Sequence, residues 1–150
     1  MRDIVQDTLA EFATLAHRQQ AKIALEIADD LRVDSDPLLL QIVLRNLVGN
    51  ALQYGGEGVR IQLAASRLDN VVSLSVCDDG PGIAPEDRAR ALQRFDRLEA
   101  HAAGGAGLGL AIVERIADAI GAQLSLSDGI DGAGLGVHLR IPQRNAPRPG

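Results

Sequence analysis

The sequence predicts an α+β fold, a two-layer sandwich in which about three helices cover one face of a mixed sheet of about five strands. Three observations carry this reading. Apolar residues recur at helical period in the stretches 3–20, 36–54 and 107–120. Shorter segments alternate at period two, and they come in runs rather than one per helix. The 150 residues show no internal repeat, and their length suits one domain with a single core.

Residues 3–20 read as a helix, with Ile4, Val5, Leu9, Phe12, Leu15 and Ala16 near helical period. Lys22–Ile27 alternates at period two and reads as a half-buried strand. Asp36 is placed as the N-cap, and Pro37 as the first residue, of a helix reaching about Tyr54. Gly55, Gly56 and Gly58 end it. Val59–Ala65 and Val71–Cys77 read as strands around a turn at Leu68-Asp69-Asn70. Asp78-Asp79-Gly80-Pro81-Gly82 is a loop by composition. A short helix around Pro85 to Phe95 leads into an Ala/Gly stretch, His101–Ala106, with little to hold it still. A strong helix from Gly107 to Ile120 stops at Gly121, a good left-handed cap. Strands at Ala122–Ser127 and Leu135–Ile141 close the fold, and the tail from Gln143 is expected to fray.

Aromatics make up only 2% of the chain and Trp is absent, so the core is to be built from Leu, Ile, Val and Ala. A net charge of −5 and the lack of a long basic run argue against nucleic acid or an anionic membrane as partner. Cys77 stands alone in an apolar run and reads as a buried bystander thiol. His17, His101 and His138 are widely separated and show no zinc spacing. With no signal peptide and no apolar stretch of about 18 residues, the chain is expected to be soluble in a reducing cytoplasm.

Three segments carry chemistry. On the 36–54 helix, Asn46, Asn50, Gln53 and Tyr54 share one face beside the core stripe. Buried carboxamides need partners; the other reading is a solvated face. After an apolar strand, Asp78 can accept from an exocyclic amine, and Gly80 and Gly82 let backbone approach a flat ring closely. Alone, the Asp-Gly-Pro-Gly string reads equally as a turn. Gly104 to Val113 feeds a glycine-rich loop into a helix, whose unpaired first N–H groups suit phosphates. It lacks Gly-Lys-Ser/Thr and the third glycine of a dinucleotide fingerprint.

In this order the segments resemble the ATP-binding fold shared by histidine kinases, gyrase, heat-shock chaperones and mismatch-repair ATPases. Asn46-Leu47-Val48-Gly49-Asn50-Ala51 is similar to the kinase asparagine box. Asp78 to Ile83 is similar to its first glycine box, Phe95-Asp96-Arg97 to its phenylalanine box, and Gly105 to Val113 to its second glycine box. The resemblance covers roughly residues 20–142. It implies the catalytic ATP-binding domain of a bacterial sensor histidine kinase, with ATP and Mg²⁺ as ligands. Asp78 would bind the adenine amino group, Asn50 would hold Mg²⁺ with Asn46 beside it, and Tyr54 and Ile83 would line the pocket. Gly105, Ala106, Gly107, Leu108, Gly109 and Leu110 would meet the phosphates, and Asp96 to Ala106 would form a mobile lid. Arg97 reads either as a γ-phosphate contact or as a solvated arginine.

The resemblance further implies a histidine-bearing dimerisation domain of the same full-length kinase and a response regulator as partners. The chain itself would be cytoplasmic without touching the membrane, and the full protein would be anchored in the inner membrane. Residues 1–20 would be the end of the dimerisation helix and its linker, 21–142 the catalytic domain and 143–150 a tail. Three departures stand out. Gln53 replaces the family's usual Lys or Arg, Leu135 stands where Thr is frequent, and none of the histidines has a phospho-acceptor setting. The alternatives are a degenerate nucleotide-binding module without phosphoryl transfer, or an ATPase of the gyrase and chaperone branch.

Overall fold

A computed structural model describes residues 1–92 and 106–144. The expected helix over 3–20 is two helices, α1 (Arg2–Glu11) and α2 (Ala13–Arg18), broken at Phe12 with φ −100° and ψ 4°. The Phe12 ring lies against Gly49, where an added Cβ would meet Cζ at 3.4 Å. Then come β1 (Lys22–Ile27), α3 (Pro37–Gly55), β2 (Arg60–Leu68) and β3 (Val71–Asp78). A 3-10 turn at Pro85–Asp87 leads into α4 (Arg88–Leu92), followed by α5 (Ala106–Ile120), β4 (Gln123–Asp128) and β5 (Leu135–Pro142). The caps fall where the sequence places them. Asp36 accepts from the Leu38 N–H at 2.9 Å, Pro37 opens α3, and Gly121 ends α5 at φ 71°.

The five strands form one mixed sheet in the order β1-β2-β3-β5-β4, parallel only between β1 and β2. Register explains the two layers. Leu25, Leu63, Val76, Val137 and Leu126 form one row across all five strands. One residue over, the row is Glu26, Ala64, Ser75, His138 and Ser125, on the opposite face. Helices cover the apolar face, where Val43, Leu44, Leu47 and Val48 of α3 and Val113 of α5 are buried with Leu63, Leu74 and Leu139. The core is aliphatic, as composition requires.

Two expectations need correction. Gln143 is not frayed: it is 7% exposed, its N–H donates to the Asn70 carbonyl at 2.6 Å, and its Oε1 accepts from the Asp34 N–H at 2.5 Å. These bonds pin the end of β5 between two turns. Nor does packing break at residue 20. Val5 is 0% exposed in the same core as α3, and the Arg2 guanidinium donates to the Ile27 carbonyl at 2.9 Å. The helical part of 1–20 thus shares a core with the domain that follows. Phe95–Arg97, Gly105 and nearly all of the expected lid lie outside the described residues.

Candidate nucleotide site

The site grows from the α3 face that period 3.6 sets apart. Asn46 and Asn50 are half-buried one turn above each other, while Gln53 is exposed and Tyr54 half-buried. The Asn46 Nδ2 donates to the Ile42 carbonyl at 2.8 Å, which leaves its Oδ1 turned outward. The Asn50 carboxamide makes no hydrogen bond to any described residue. Facing both is Gly109 in the first turns of α5. A Cβ there would lie 3.0 and 3.1 Å from the Asn50 amide atoms and 3.4 Å from Asn46 Oδ1. Gly109 therefore lets the two helices close face to face without displacing either carboxamide. Asn46, Asn50, Gln53 and Gly109 line an open cleft of about 480 Å³, together with Arg45, Gly49, Ile112 and, from the first helices, Phe12, Leu15 and Gln19.

A second cluster sits at the C-terminal end of α3. Asp78 ends β3, and its Oδ1 accepts from the Gly80 N–H at 2.9 Å and the Leu135 N–H at 3.2 Å. Its Oδ2 has no partner among the described residues. Burial pushes the Asp78 carboxyl above the usual carboxylate range; the two backbone donors oppose that rise and Asp79 adds to it. Backbones meet here at glycines. A Cβ on Gly80 would come 2.8 Å from the Gly55 Cα, and one on Gly82, at φ 73°, would come 2.5 Å from the Gly134 oxygen. Gly134, at φ 69°, lies against the Asp78 backbone in the same way. Leu135, which lacks the hydroxyl of the frequent Thr, still supplies its N–H to Asp78. The Tyr54 hydroxyl is buried with no hydrogen-bond partner.

Two arginines hold the loop between β3 and α4. Arg60 donates through Nε to Asp79 at 2.8 Å and reaches Asp131 at 3.3 Å, and this pairing holds the Asp79 carboxyl below the usual range. Arg88 donates to the Ile83 carbonyl at 3.1 Å and pairs with Asp128 at 2.5 Å.

The structure thus divides the expected site residues. Asn46, Asn50, Gln53 and Gly109 converge on the cleft, whereas Asp78, Gly80, Gly82 and Ile83 belong to the loop cluster and do not line it. Ala106, Gly107 and Leu108 open α5. Leu110 differs from expectation: its side chain is 3% exposed in the core, so only its backbone can face a ligand. Arg45, Phe12, Leu15 and Gln19 were not singled out by sequence. Arg45 was legible, because positions 45, 49 and 53 follow the same helical spacing as the carboxamides; the other three reach the cleft only by tertiary packing. Among the described residues no cluster of three His, Cys, Asp or Glu could hold a metal, and no helix is long and apolar enough to cross a membrane.

Comparison with known proteins agrees with this architecture. Residues 35–145 match the family model described as histidine kinase-, DNA gyrase B-, and HSP90-like ATPase. The swarming motility regulation sensor protein RssA of Serratia marcescens is 33% identical over 141 residues, covering 93% of this chain and 30% of that protein. The sensor-like histidine kinase SenX3 of Mycobacterium tuberculosis is 39% identical over 125 residues, covering 78% of this chain and 30% of that protein. The chain thus spans about a third of the length of these relatives. Among solved structures, the catalytic domain of histidine kinase ThkA superposes with a TM-score of 0.85 at 26% identity, covering 95% of this chain and 92% of that one. Full-length ShkA in complex with AMPPNP gives 0.81 at 32% identity, covering 99% of this chain and 31% of that one. The chain is a catalytic domain of the histidine kinase-, DNA gyrase B- and HSP90-like ATPase family, and the relatives named here place it with the sensor histidine kinases.

Proposed function

We propose that this domain binds ATP with Mg²⁺ and donates the γ-phosphoryl to a histidine on a separate dimerisation domain of the same full-length protein. The observation that carries the reading is the pair of half-buried carboxamides, Asn46 and Asn50, held open on α3 against Gly109 of α5. Asp78 Oδ2 accepts from the adenine amine. Unpaired N–H groups in the first turn of α5, at the positive end of its dipole, receive the phosphates.

Magnesium fits this donor set. A hard cation carried by phosphates needs few protein oxygens beside its waters, and the unpartnered Asn50 amide offers one. When bound, it neutralises charge developing on the transferred group. The chain's own part is positioning. Asn46 is a poor general base: a carboxamide cannot take a proton near pH 7, and its nitrogen already serves the Ile42 carbonyl. His17 is exposed on α2 and the His138 Nε2 is engaged with Ser127 Oγ at 2.7 Å, so neither is offered to the cleft.

This reading makes the dimerisation domain and a response regulator the partners, with no nucleic acid. It also makes the domain cytoplasmic, within a protein anchored in the inner membrane. The test is incubation with γ-labelled ATP, with and without a histidine-bearing dimerisation domain. Acid-labile label on the added domain alone is expected. Brisk phosphate release by the chain itself would instead support the gyrase and chaperone branch.

A further inference from the structure

The cleft poses a problem of charge. A triphosphate brings several negative charges, yet Asn46, Asn50, Gln53 and Gly109 contribute none to balance them. Among the described residues lining the cleft, the one charged side chain is Arg45. Its Nε sits 3.0 Å from Glu11 Oε2 on α1, and the two side chains remain 55% and 40% exposed. That contact occupies one of five guanidinium N–H donors, so the terminal fork keeps donors for a second anion. An ion pair this exposed is weak and yields easily to a better partner.

Position along α3 says which part of a nucleotide Arg45 meets. The C-terminal end of α3 abuts the Asp78 loop, where Gly80 packs against Gly55. Arg45 stands nine residues before Tyr54, about 13 Å along the helix axis at 1.5 Å per residue. A nucleotide whose base is held at Asp78 and whose phosphates pass Asn50 and Asn46 would carry its terminal phosphate toward Arg45.

We propose that Arg45 is the terminal-phosphate-binding residue of this domain, supplying the cation that Gln53 does not, with Glu11 of α1 tethering its guanidinium at the cleft. This assignment rests on the nucleotide-site reading above. It makes Arg45 a determinant of selectivity for the triphosphate over the diphosphate, through a charge-assisted and forked contact that a neutral side chain cannot replace.

The test is isothermal titration of the chain with ADP and with a non-hydrolysable ATP analogue, both with Mg²⁺. Arg45→Gln should weaken analogue binding about tenfold or more while leaving ADP binding near wild type. Arg45→Lys, which keeps the charge but not the fork, should retain part of the preference. The preference should fall with added salt in the wild type and respond little in Arg45→Gln. An Arg45→Gln protein with unaltered preference, or an Arg45→Lys protein no better than it, would overturn the role of Arg45 alone. Wild-type protein that binds neither nucleotide would refute the site reading and this assignment with it.

Discussion

Leu135 donates its backbone N–H to Asp78 Oδ1 at 3.2 Å, joining the start of β5 to the end of β3 where the loop cluster forms. The same oxygen accepts from Gly80, so the carboxylate is fixed through one oxygen while the other stays available. Asp78 is therefore held by backbone alone.

Asp78→Asn preserves the accepting oxygen and replaces the free one with a donor. Adenine nucleotide binding should weaken by about 1–3 kcal/mol, the cost of an unmet partner. Titration with ADP and GDP checks it: equal adenine affinity in mutant and wild type would remove Asp78 from base recognition.

The same substitution has a pH signature. Burial raises the folded pKa of Asp78 above its unfolded value. The folded state then binds more protons, so this group's contribution is full below the unfolded pKa and is lost as pH rises through the folded pKa. Asp78→Asn should not lower the melting temperature at pH 7, and should flatten its decline with rising pH above the ordinary aspartate range. A variant that melts well below wild type at pH 7 would contradict this.

Gly109→Ala places a methyl group against both carboxamides. Replacing a helical glycine by alanine favours the helix by up to about 1 kcal/mol, so thermal stability should hold. Affinity for ATP with Mg²⁺ should nonetheless fall about tenfold, through displacement of the Asn50 amide. Unchanged affinity would mean that the amide orientation is irrelevant to binding.

Val5→Ala asks whether the first helix belongs to the domain. Removing two methyl groups from a fully buried site should cost about 2 kcal/mol in a denaturant melt. A loss under a few tenths would instead make α1 an appendage.

Much of the fold was legible because its signals are local. Asp36 and Pro37 announce α3, Gly121 ends α5, and alternation along Arg60–Leu68 and Val71–Asp78 marks the central hairpin. The site was legible in part for the same reason, since helical period alone puts Asn46 and Asn50 on one face. Leu110 shows the limit. Its place after Gly109 suggests phosphate contact, yet one step around the helix turns its side chain into the core.

By itself the sequence determined the order of elements, the caps, the carboxamide face and the glycines that allow close backbone approach. Each follows from dihedral preference or periodicity within a few residues. Only the tertiary structure decided that Gln143 would bind Asp34 across 109 residues and Leu135 would bind Asp78 across 57. It also decided that Phe12 and Arg45 would meet at one cleft. These depend on how sheet register and helix packing bring distant backbone together, and no local pattern of side chains encodes the partner of an N–H group so far along the chain.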